Sequence, residues 1–125
     1  MNKLVEILAV GLGGAVGSML RYGVTLLFGA LGWSGNIGTM TVNVAGSFII
    51  GYLTSAAAHA GTSGSTMLLM LTVGLCGGFT TFSTFSMQSV RLLQAGQQGT
   101  ALLYVAGTFF LCLFFCGLGW YLSAK

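Results

Sequence analysis

Gly74-Leu75-Cys76-Gly77-Gly78-Phe79-Thr80-Thr81-Phe82-Ser83-Thr84-Phe85-Ser86 lies inside an apolar segment, yet its composition is wrong for a helix that only spans a bilayer. Three glycines weaken a helix at mid-length, at ~1 kcal/mol each relative to alanine. Hydroxyl side chains interleaved with phenylalanine follow at once. In hydrocarbon, an interrupted backbone ladder leaves N–H and C=O groups that need partners, so irregular backbone survives there only against protein or a polar cavity. A third helix broken near its middle is therefore the expected functional centre. The half that ends at the break offers carbonyls suited to a cation, and the half that begins offers amides and hydroxyls suited to an anion.

The rest of the chain supports a membrane setting. Of its 125 residues 55% are hydrophobic and 4% charged, and the mean hydropathy is +0.94, far from the composition of a soluble domain. An all-α integral membrane protein of a single transmembrane domain, residues 1–125, is expected. Bilayer crossing takes about 20 mostly apolar residues, and four spans satisfy this, at about 4–31, 38–58, 66–93 and 100–122. Lys3 and the apolar run behind it resemble a signal peptide, but no small-residue cleavage pattern follows, so the first span is expected to remain as a helix. With no proline in the chain, helix breaks must come from glycine and serine.

Within these spans the polar residues form stripes. Thr39, Asn43 and Ser47 recur at i, i+4, i+8 on the second span, and Tyr104, Thr108 and Cys112 do so on the fourth. Such stripes face a neighbouring helix or a water-filled path. Interhelical hydrogen bonding alone accounts for an Asn43 in this setting at ~1 kcal/mol. Phe82 and Phe85 share one side of the third span, a pattern equally compatible with packing, while Ser83 and Thr84 point elsewhere around its axis. Gly13 and Gly17 have the small-xxx-small spacing that lets helices approach closely. Arg21, costly at bilayer depth, either anchors the interface beside Tyr22 or lies at a vestibule and draws anions. His59 reads as an interfacial residue. Cys112 and Cys116 share a face with no histidine or carboxylate near them, and packing is their better reading.

Charge excludes several functions. A net charge of +3 from four basic residues and one acid is too sparse for a nucleic-acid surface. One acid and one histidine leave little for acid–base catalysis, so the chain is not expected to be an enzyme. A small dual-topology multidrug exporter has similar length but needs a membrane-embedded carboxylate, and Glu6 sits near the interface. A non-conducting scaffold accounts for the glycines as packing, but not for the hydroxyl and phenylalanine cluster. Lys3 and Lys125 fall on one side of the membrane and Arg21 and Arg91 towards the other, so the usual basic excess that orients a chain is missing. Insertion in both orientations, and an antiparallel dual-topology homodimer, are expected.

GGAVGSMLRY at Gly13–Tyr22, TVNVAGSFIIG at Thr41–Gly51 and GLCGGFTTFSTFS at Gly74–Ser86 resemble the signature of the Fluc/CrcB family of fluoride channels, in order and separation. The resemblance implies a homodimer with two antiparallel pores that exports cytoplasmic fluoride passively across the bacterial inner membrane. By similarity, Asn43 coordinates the anion, Phe82 and Phe85 present ring edges to it, and Ser83 and Thr84 add polar contacts. Tyr104 and Thr108 resemble the polar positions of the family's fourth helix, and Cys112 stands where a further hydroxyl is expected. Arg21 lies towards a pore entrance, and the main-chain carbonyls of Gly77 and Thr80 from both subunits hold a central structural Na+. Fluoride, membrane lipid and a second copy of the chain are the partners implied.

Overall fold

In the computed structural model, which describes residues 2–125, four helices are long and apolar enough to cross a membrane. Helix α1 spans Lys3–Ala30 and α2 spans Gly35–Ala60. The third span, Thr66–Gln94, consists of α3 (residues 66–79) and α4 (Phe82–Gln94). Helix α5 covers Gln98–Ser123. No strand is present among the described residues.

The helix ends follow from local chemistry. Asn2, Ser34 and Ser65 cap α1, α2 and α3 by accepting from the backbone N–H of Leu4, Asn36 and Leu68 at 2.9–3.1 Å. Gly61, at φ 72°, stops α2 in the left-handed conformation. Helix α2 therefore runs beyond residues 38–58 at both ends. Its polar first turn and His59 are helical although hydropathy places them outside, because capping rather than lipid solubility sets the boundary. The His59 Nδ1 lies 2.8 Å from the Ser55 carbonyl, within the same helix.

Two close contacts organise the bundle. Helix α2 packs along α5, where Gly119 lies so near that a Cβ on it would come within 3.0 Å of the Tyr52 nitrogen. Fully buried Ser55 donates to the Trp120 carbonyl at 3.1 Å. Helix α1 packs along α3, glycine on glycine: a Cβ on Gly17 would overlap the Leu75 carbonyl oxygen, and one on Gly74 would lie 2.7 Å from the Val10 carbonyl oxygen. Backbones can approach this closely only where side chains are missing.

The third span changes character along its length. Residues Met70–Cys76 form a π-helical stretch, and the Thr72 hydroxyl donates to the Leu68 carbonyl at 2.8 Å, a back-bond that perturbs regular α geometry. The glycine-rich part remains helical through Phe79. Extended backbone comes after it, at Thr80 (φ −89°, ψ 161°) and Thr81 (φ −152°, ψ 119°). Gly74 and Gly78 thus make the contact with α1, whereas the threonine pair carries the departure from helix. β-Branched side chains suit extended backbone, and Gly46 on α2 leaves room for the Thr80 methyl group, which a Cβ there would overlap.

Candidate functional site

The extended residues leave backbone groups that other parts of the chain satisfy. Asn43 on α2 is the central partner. Its Nδ2 donates to the Thr81 carbonyl at 3.0 Å, and its Oδ1 accepts from the Thr81 N–H at 2.8 Å. One amide side chain thereby replaces the helical partners of one residue. Thr81 also caps α4, since its Oγ1 accepts from the Thr84 N–H at 3.1 Å and lies 3.1 Å from the Thr84 hydroxyl and 3.3 Å from the Ser83 hydroxyl. Asn43 retains one amide hydrogen beyond the Thr81 carbonyl bond.

These diversions release two carbonyls. In a continuous helix the Thr81 N–H would donate to Gly77, and here it donates to Asn43. The Thr84 N–H would donate to Thr80, and here it donates to the Thr81 hydroxyl. Gly77 and Thr80, expected to hold a cation, are the two residues whose carbonyls lose their regular donors. Neutral carbonyl oxygens suit a hard monovalent ion, and no group of three or more histidine, cysteine or acidic residues able to hold a metal occurs among the described residues. The donor chemistry therefore fits a hard monovalent ion such as sodium better than a metal that needs histidine, thiolate or carboxylate ligands.

An open cavity of about 720 Å³ adjoins the break. Asn43, Gly77, Thr80, Phe82, Phe85 and Thr108 line it, together with Ser47 and Cys112. Eight of the residues singled out in the sequence are thus brought to one surface. The stripes on α2 and α5 meet there because those helices pack along one another. Thr108 is 5% exposed, and its Oγ1 is buried with no hydrogen-bond partner. Buried hydroxyls in folded proteins almost always have a partner, so an unfilled one beside a cavity marks a place for a polar occupant.

The aromatic residues continue the same surface. The Phe82 and Phe85 ring centroids are 5.5 Å apart at 49°, and Phe85 lies 5.3 Å from Tyr104 at 47°. Phe82 is 78% exposed, so this chain alone leaves one face of the ring pair uncovered. The buried Tyr104 hydroxyl donates to Gln88 Oε1 at 2.7 Å. Ser83 and Thr84 cluster around Thr81 in the first turn of α4 rather than on the cavity lining. Gln88 is a residue that the sequence reading passed over, and its signal is a polar side chain one helical turn beyond Thr84. In the sequence Thr81 is only one hydroxyl among several, although threonine just ahead of a helix is a recognised N-cap residue.

Arg21 stands apart from the cavity. Its Nε donates to the Gly78 carbonyl at 3.0 Å, so it reaches the end of α3 from the α1 side.

The family described as "CrcB-like protein, Camphor Resistance (CrcB)" matches residues 8–120. The chain is 47% identical over 117 residues to "Fluoride-specific ion channel FluC" of Thermus thermophilus, covering 93% of each chain. It is 46% identical over 118 residues to the protein of that name from Caulobacter vibrioides, covering 90% of this chain and 88% of the relative. With the one from Methylobacterium nodulans it shares 45% identity over 108 residues, or 86% and 84% of the two chains.

Proposed function

The chain belongs to the CrcB family, and on that premise we propose that it is a fluoride-selective channel of the bacterial plasma membrane. It is not an enzyme: it works as an antiparallel homodimer with two pores and lets cytoplasmic fluoride leave passively, giving fluoride resistance. The observation that carries this reading is the single cavity lined by Asn43, which has an amide hydrogen to spare, by Thr108, whose buried hydroxyl lacks a partner, and by the Phe82–Phe85 pair.

Fluoride is small and strongly hydrated, so a selective path must replace its water with close donors. Asn43 and Thr108 supply an N–H and an O–H that no protein group uses fully. A phenylalanine ring is positive at its edge and negative on its face, so a ring turned edge-on stabilises an anion where a face would repel it. Tyr104 holds the ring of Phe85 in place and is itself fixed by Gln88. Conduction needs several moderate sites in series rather than one tight trap. Hydroxyl, amide and ring edges meet that need, and a fixed lysine or arginine within the lining would not. The exposed Phe82 ring supports a second, oppositely oriented copy that covers it and completes each pore.

The interruption at Thr80 and Thr81 is the functional discontinuity of the third span. The Gly77 and Thr80 carbonyls of both copies would hold a sodium ion, whose positive charge would relieve repulsion among converging carbonyl dipoles. Its role is structural. The residues of this chain keep the oxygens available by holding their regular donors elsewhere, on Asn43 and Thr81.

A fluoride-electrode efflux assay on liposomes tests the proposal. Fluoride should leave through the reconstituted protein while chloride is retained. Equal leakage of both ions contradicts selectivity, and no leakage of either leaves a scaffold. Exchange of protons for a cationic drug identifies an exporter.

A further inference from the structure

Arg21 holds a charge at the break that the conduction scheme does not use. Side chains on a helix lean towards its N-terminus, so Arg21 reaches back over the turn at Gly17 and Ser18. At that turn Gly78 approaches so closely that a Cβ on it would be 3.1 Å from the Ser18 nitrogen. Its Nε meets the Gly78 carbonyl at 3.0 Å. The only acidic residue of the chain, Glu6, pairs with Lys3 at 3.3 Å. The guanidinium therefore brings an uncompensated positive charge to the carbonyl next in sequence to Gly77.

We propose that Arg21 sets the valence of the cation held by the Gly77 and Thr80 carbonyls, an inference that rests on the cation reading given above. Two effects act together. The bond to Gly78 withdraws that oxygen from the set a cation can use, leaving Gly77 and Thr80, whose donors are diverted. The fixed charge then repels a divalent ion twice as strongly as a monovalent one. Calcium also seeks six to eight oxygens, usually with carboxylates among them, and no acid lies near the break. Arg21 thus acts as a selectivity-determining residue for the ion.

The test reads cation-dependent thermal stability of the purified dimer, which does not rely on fluoride flux. Sodium is expected to raise the melting temperature of the wild-type protein and calcium to leave it unchanged. Arg21→Gln keeps a donor for the Gly78 carbonyl and removes the charge; its half-maximal stabilisation should need about tenfold less sodium, and calcium should now stabilise it. Arg21→Lys keeps the charge and should retain the wild-type preference. An Arg21→Gln protein with the wild-type sodium midpoint and no response to calcium overturns the proposal. If that variant does not fold, an Arg21→Lys protein stabilised by calcium overturns it equally. A wild-type protein blind to sodium, together with variants blind to it, instead removes the cation site itself.

Discussion

Thr108 separates stability from conduction at a single atom. Its hydroxyl is buried and bonded to nothing, so removing it breaks no hydrogen bond within the protein, and Thr108→Val keeps nearly the same shape. Stability should hold or rise by about 1 kcal/mol. If the hydroxyl donates to fluoride, the lost interaction of about 1.5–3 kcal/mol lowers flux by about tenfold or more. A melting curve beside an efflux trace checks both halves, and unchanged flux takes Thr108 off the path. Phe82→Ile and Phe85→Ile make a second test, since isoleucine has similar bulk and no ring edge. Flux should fall by up to about tenfold, the order of a lost aromatic interaction, with the dimer intact by size-exclusion chromatography. Flux equal to wild type in both variants would separate the rings from conduction. Sequence alone picks out Asn43, Thr108, Phe82 and Phe85, because polar and aromatic groups stand out against an apolar background. It does not reveal that Asn43 places both ends of its amide on Thr81, because helical spacing tells which residues share a face and not which backbone lies opposite.

Among the elements, α1 and α3 approach one another as closely as α2 and α5 do. Gly17 has no room for a methyl group, which would overlap the Leu75 carbonyl oxygen and stand 2.8 Å from the Phe79 nitrogen. Gly11, on the same helix, has nothing within 4 Å of the corresponding position. Gly17→Ala is therefore expected to destabilise by at least the ~1–3 kcal/mol typical of overpacking, because both obstacles are backbone. Gly11→Ala should be neutral or stabilising by up to about 1 kcal/mol through helix propensity. Thermal melts of the two variants in one detergent decide it, and equal melting temperatures would mean that α1 and α3 separate more easily than their packing implies. The four helices are legible from hydropathy alone, since each contains a long apolar run. Their ends are less so, as the caps at Ser34 and Gly61 show. Glycine composition in the third span points to a weak helix, yet Gly74 and Gly78 serve the contact with α1, and extended backbone follows at Thr80 and Thr81. Glycine composition cannot distinguish close approach from interruption, because both require the absence of a side chain. Only the partner helix tells them apart.

For the molecule as a whole, orientation depends on very few charges. Lys3 and Lys125 flank the first and last helices, and Arg91 lies in the final turn of α4. Arg21 is held on the Gly78 carbonyl, so it belongs to the protein interior more than to a loop. Lys3 is paired with Glu6, and the Lys125 ammonium lies 4.7 Å from the centroid of the Tyr121 ring. Outside the bundle this leaves two basic residues against one, too small a difference to fix a topology by the basic-residue rule. Insertion in both orientations is the expected result, as an antiparallel pair requires. A cysteine added after Lys125, in a protein whose native cysteines are replaced by serine or alanine, should react with an impermeant reagent from both sides of the membrane in comparable amounts. Adding two or three arginines to the loop between α1 and α2 should drive that terminal thiol to one side and abolish efflux when the variant is expressed alone. Coexpression with a variant carrying the arginines beyond Lys125 should restore efflux, since the two would insert in opposite orientations and pair. Labelling from one side only in the unmodified background, with efflux intact, would make the working dimer parallel and leave the exposed Phe82 ring to face something other than an inverted copy.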